Sequence, residues 1–223
     1  MSSALGDVLP LALGVAISPI PIIAAILMLL SPKARTTSVG FLIGWIAGIV
    51  VAISLFTLLS SVLPEQDPDA AQPIKGVIQL LLGALLFVIA AKQWGKRPQE
   101  GEEAALPTWM KAIDTFTLGK ALGLGFLLSA VNPKNLIMAA GAGVTVGSAS
   151  LSAGSTITVL AVFTVLAAST VAVPVVGYLL AADRLRGVLD ALRTWLAREN
   201  AVIMAVLLLV IGISMIGKGI GSF

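Results

Sequence analysis

Lys134 is the residue of this 223-residue chain whose type and surroundings point most directly to chemistry. It stands in Asn132-Pro133-Lys134-Asn135, near the middle of an apolar run over residues 118–146. A lysine at the centre of a bilayer costs about 2.5–3.5 kcal/mol on insertion scales, so such residues face a cavity, a pathway or a compensating group. Asn followed by Pro also marks a helix start. Asn caps unpaired N–H groups, and Pro at the first helical position lacks the N–H that would need a partner. A helix start at mid-membrane means a broken helix. The charge would be offset by freed backbone carbonyls, by the amides of Asn132 and Asn135, by water or by an anionic ligand.

The same grammar occurs 114 residues earlier as Ser18-Pro19-Ile20-Pro21, near the middle of the first apolar run, and the flanks align, Leu13 with Leu127 and Ala25 with Ala139. Interrupted segments at corresponding places predict an internal repeat with a binding site between the halves. Half-helices starting at Pro19 and Pro133 would aim their N-termini at the midplane, where the dipole favours negative charge. The site expected from these residues is cationic. The competing reading is that the prolines merely bend two helices and that Lys134 snorkels towards an interface.

The elements that must position these residues follow from composition. The chain is 58% hydrophobic and 11% charged, with a mean hydropathy of +1.04, whereas soluble domains carry about 25% charged residues. This predicts an all-α polytopic membrane protein without room for a soluble second domain. Cysteine and histidine are both absent, which excludes disulfides, thiol redox centres, Cys/His metal sites and imidazole proton relays. No catalytic residue, metal or cofactor is expected, and the chain does not read as an enzyme or a nucleic-acid binder. Asp7 and an apolar stretch reaching Leu30 without a preceding basic residue predict a retained first span rather than a cleavable signal.

Six spans of about 20 residues fit the apolar runs: residues 8–30, 39–63, 74–94, 118–146, 156–180 and 201–216. Gly40, Gly44 and Gly48 fall every four residues on one face of the second span, the spacing of a close helix–helix seam. Residues 64–73 form a short acidic loop with Glu65, Asp67 and Asp69, and Pro174 is expected to kink the fifth span. Residues 95–117 read as a charged linker with one short amphipathic piece around residues 109–116. In residues 183–198, Leu185, Val188, Leu189, Leu192, Trp195 and Leu196 keep helical spacing against an arginine-rich opposite face, as in a helix lying in the interface plane. The expected organisation is a first three-helix repeat at 1–94, a cytoplasmic linker at 95–117 and a second three-helix repeat at 118–223 that includes the interfacial helix 183–198.

Charge placement orients this scheme. Eleven of the fourteen Lys and Arg residues fall on the connections of one side, against Lys75 and Lys218 on the other and Lys134 within the membrane. The excess places the first side in the cytoplasm and both termini outside a cytoplasmic membrane, and Trp94, Trp109, Tyr178 and Trp195 fall near the same interface. Three spans per half force the second half to enter the membrane the opposite way up, an inverted repeat with spans 1 and 4 broken. All eleven acidic residues lie outside the expected hydrocarbon, which leaves Lys134 without a carboxylate partner.

The paired Ser18-Pro19-Ile20-Pro21 and Asn132-Pro133-Lys134-Asn135 motifs, the six-span layout and the charged central linker resemble the sulfolipid-addressing family. That family is also called glycopeptidolipid-addressing and is a branch of the LysE exporter superfamily. The resemblance covers essentially the whole chain. It implies movement of a cell-envelope glycolipid or its precursor across the cytoplasmic membrane, beside larger lipid exporters and lipid-synthesis enzymes. A homo-oligomer is left open. Other superfamily branches call for intramembrane cysteines or carboxylates, which this sequence lacks, and Ser18-Pro19-Ile20 replaces the superfamily's Gly-Pro-Asn type of motif. The reading is an alternating-access exporter or flippase. Lys134 would contact the headgroup, Asn132, Asn135 and Ser18 would hydrogen-bond it, and Pro19, Pro21 and Pro133 would hold the helices open. The alternatives are export of a small polar metabolite or amino acid, and a non-transporting scaffold for a larger lipid exporter.

Overall fold

The computed structural model describes residues 2–61, 73–97 and 108–223. The expected acidic loop and most of the expected linker lie outside the described residues. Every regular element described is a helix, and no strand occurs among the described residues. In order these are α1 (Ser2–Ala16), α2 (Pro19–Leu30), α3 (Ala34–Ser61), α4 (Pro73–Gly95), a 3-10 helix (Thr108–Thr115), α5 (Leu118–Ala130) and α6 (Pro133–Gly147). Ala153–Ile220 is helical apart from Ala181 (φ −146°, ψ 51°), which divides it into α7 (Ala153–Ala182) and α8 (Arg184–Ile220).

Four helices, α3, α4, α7 and α8, are long and apolar enough to cross a membrane. The pairs α1/α2 and α5/α6 pass the same criterion jointly, bent by 51° and 59°, which brings the number of candidate spans to six if each pair is one span. Both bends fall at the sequence positions expected. Pro19 and Pro133 occupy the first turn of α2 and α6, where a missing N–H is harmless. The short amphipathic piece expected near the end of the linker is the 3-10 helix, which buries Met110 and Ile113.

Small residues let the backbones touch. Along α3, an added Cβ at Gly44 would run into the Leu122 carbonyl oxygen of α5, and one at Gly48 into the Ser129 hydroxyl; Gly125 answers against the Phe41 carbonyl. This is the seam that the four-residue glycine spacing predicts. A second seam, not read from the sequence, joins α4 to α8. There a Cβ at Gly76 or Gly83 would stand 3.0 Å from the carbonyl oxygen of Gly219 or Gly212 respectively.

Pro174 lies inside α7 with helical backbone, and the residue that departs from helical backbone is Ala181. One expectation needs correction. Residues 183–198, expected as a separate helix in the interface plane, instead run without a break into the last span as α8. Glu199 and Asn200, polar as they are, include no Gly or Pro to stop the helix. At 37 residues α8 is about 55 Å long, longer than the roughly 30 Å that a spanning helix needs to cross hydrocarbon, and its arginine-rich end continues the apolar part as one helix. Its apolar stripe is split. Leu189 and Leu196 are buried, while Val188, Leu192 and Trp195 are exposed. Arg186 donates to the Tyr178 hydroxyl of α7 at 3.3 Å across the Ala181 break.

Candidate functional site

The two breaks meet. Lys134, in the first turn of α6, sends its ammonium into the gap between α1 and α2, and the residue is 4% exposed. Nζ donates to the carbonyl oxygen of Gly14 at 2.5 Å, to that of Ile17 at 3.3 Å and to the hydroxyl of Ser18 at 2.5 Å. An ammonium has three protons, so every one has an acceptor. No carboxylate among the described residues takes part.

The local cause is the end of α1. The last carbonyls of a helix have no partner within it, and together they carry the negative end of the dipole, about half an elementary charge. Gly14 and Ile17 offer two of these oxygens to Lys134. Ser18 turns its hydroxyl back on the Val15 carbonyl at 2.7 Å. Thr170 of α7 donates to the Ala16 carbonyl at 2.6 Å. The end of α1 is thus capped largely by side chains from the second half of the chain. Gly14 also makes room, since a Cβ there would stand 2.7 Å from Ile211 Cδ1 and 2.9 Å from Met138 Sδ.

The remaining candidates divide by role. Asn135 is 2% exposed and joins the cluster, its amide donating to the Leu128 carbonyl at 2.9 Å and its Oδ1 accepting from Ser18 at 3.4 Å. Asn132 does what an N-cap does, accepting from the Lys134 backbone N–H at 3.0 Å, and its amide makes no bond to the ammonium. Pro19 and Pro21 are buried at the start of α2, and Pro133 is exposed at the start of α6. The two prolines of α2 remove two of its first three N–H donors, and Ser18 provides no side-chain cap to that helix. The start of α2 is therefore a poorer anion cradle than the sequence argument supposed.

Thr170 and Gly14 were missed from the sequence. The available signal for Thr170 was the pair Ser169-Thr170 in an otherwise apolar span. Among the described residues, no three His, Cys, Asp or Glu side chains gather where they could hold a metal ion.

These helices and this buried knot define an all-helical protein with four to six candidate membrane spans, in which a lysine bridges the two interrupted segments. Residues 8–221 match the Sap, sulfolipid-1-addressing protein family, and the chain belongs to that family. No curated protein and no solved structure matches the chain.

Proposed function

We propose that the protein carries a cell-envelope glycolipid or anionic lipid precursor across the cytoplasmic membrane, as an exporter or flippase working by alternating access. The observation that carries this reading is the Lys134 ammonium, buried between two interrupted helices and held, among the described residues, by uncharged oxygens. The family name speaks of a sulfolipid, and a sulfolipid presents an anionic headgroup that an ammonium would favour. Neutral acceptors compensate a buried charge less fully than an anion does. An incoming headgroup would therefore displace Gly14, Ile17 and Ser18 from Lys134.

In this reading the ammonium is a latch as well as a ligand. While it holds the end of α1, that helix end stays tied to α6; once it turns to a headgroup, α1 is released and can move against the second half. A ligand shifts such an equilibrium by its difference in affinity for the two states. The halves are two inverted three-helix repeats, 1–94 and 118–223, joined by the cytoplasmic linker 95–117, with spans 1 and 4 broken and both termini outside. That arrangement belongs to the LysE superfamily pattern of the resemblance, and larger lipid exporters and lipid-synthesis enzymes are the partners it calls for. Ser18 and Asn135 would hydrogen-bond the headgroup, whereas Asn132 keeps α6 capped.

The test is transport of a labelled native envelope lipid by purified protein in liposomes, at matched protein levels. Lys134→Met should abolish transport, and Lys134→Arg should retain part of it, because the charge survives on a broader planar group. Full activity in the Met variant would sink the anion-site reading. A scaffold for a larger exporter would move no lipid even with Lys134 intact.

A further inference from the structure

A shallow cleft opens near the two chain termini, lined by the polar side chains of Asp7, Gln79, Thr145, Ser214 and Lys218 and by Leu11, Gly141, Ile211 and Met215. Within this lining Lys218 and Asp7 form an ion pair at 2.6 Å. The cleft lies in line with the Lys134 knot. On α1, Asp7, Leu11 and Gly14 recur at helical spacing on one face; on α6, Thr145, Gly141, Met138 and Lys134 do so, and on α8, Lys218, Met215 and Ile211.

Contacts confirm that these three faces meet in layers. A Cβ at Gly141 would stand 3.2 Å from Met215 Cε and 3.3 Å from Leu11 Cδ1. One step further in, Gly14 meets Ile211 and Met138. The Gly14 carbonyl then accepts the Lys134 bond. The cleft reaches Leu11, Ile211 and Met215, so the packing around Met138 separates it from the buried ammonium.

We propose that the Asp7–Lys218 pair and the Leu11, Met138, Ile211 and Met215 layers beneath it form the outer gate of a path ending at Lys134, through which a polar headgroup leaves. This rests on the transport reading and adds to it the exit side and the residues that close it. The parts suit a gate. The paired side chains are 35% and 41% exposed, and ion pairs so placed are held weakly. Methionine repacks easily because its side chain is unbranched and flexible, and the glycines at 14 and 141 let Met138, Ile211, Leu11 and Met215 pack directly against the α1 and α6 backbones. The cleft walls offer a carboxylate, an ammonium, an amide and hydroxyls, groups able to receive a hydrated, hydroxyl-rich headgroup as it passes the apolar layers.

The chain contains no cysteine, so an introduced thiol is a unique reporter. Met138→Cys places it in the layer beneath the cleft, Ile211→Cys at the buried floor of the cleft is the second inner reporter should the first fail to fold, and Ser214→Cys on the cleft wall serves as reference. The full chain in sealed membranes is treated from outside with an impermeant thiol reagent. The Ser214→Cys reporter should label readily and the inner reporter slowly. Asp7→Asn and Lys218→Met should each speed inner labelling about two- to fivefold, the range set by the strength of a half-exposed pair, and the exchange Asp7→Lys with Lys218→Asp should restore the slow rate. Unchanged inner labelling in both single variants would overturn the gate. So would acceleration in one and slowing in the other, which is what a mere change of surface charge on a charged reagent gives, or labelling from the opposite side alone. The labelling rate needs no transported lipid, so a protein that carries nothing would still answer the gate question, while the liposome assay answers the other.

Discussion

The two breaks share a sequence grammar but are sealed by different means. At the second, α6 is capped by its own Asn132, and Asn135 reaches back seven residues to the Leu128 carbonyl at the end of α5. At the first, α2 has no side-chain cap, and the end of α1 is closed by Lys134 and Thr170 from the other half together with the adjacent Ser18. The second break is self-sufficient, the first depends on the rest of the molecule. Of the two breaks, the first is therefore the one at which a change in the second half is felt by a helix end in the first.

Lys134→Met should produce the largest effect on stability. It leaves the Gly14 and Ile17 carbonyls and the Ser18 hydroxyl without their donor at about 1–3 kcal/mol each, partly offset by about 3 kcal/mol saved on the buried charge, for a net loss of about 2 kcal/mol in thermal unfolding in detergent. Combined with Ser18→Ala it should lose less than the sum of the two single changes, by about 1 kcal/mol, because the residues share a bond. Strict additivity in that cycle would show that the first break is not held as a unit. Asn132→Ala should cost about 1 kcal/mol, the usual value of an N-cap, and should add independently to Lys134→Met, since the bond it removes is to a backbone N–H that both variants retain. The smallest effect should come from Thr170→Val, about 0.5–1 kcal/mol, because the Ala16 carbonyl also accepts from the Ser18 backbone N–H at 2.9 Å. A loss at Thr170 exceeding that at Lys134 would reverse the order of importance at the first break.

Much of the frame was legible in the residues. The apolar runs, the Ser18-Pro19 and Asn132-Pro133 breaks, the glycine seam of α3 and the buried Lys134 all rest on local chemistry, namely hydropathy, a missing N–H, a missing Cβ and an isolated charge. The reading failed where a local signal was weaker than its surroundings: Glu199-Asn200 did not separate a surface helix from α8.

The sequence by itself determined the class of protein, the two interruptions and a Lys134 with no acidic residue near it along the chain. Only the tertiary structure decided what balances it instead. Every residue carries a carbonyl oxygen, so no pattern of residue types can say that those of Gly14 and Ile17 will be the ones left open. That choice is made when α1 ends, when Gly14 allows Met138 and Ile211 to close in, and when α6 starts opposite it so that the ammonium reaches the helix end. A helix terminus is a feature of the chain, but its partner is a feature of the packing.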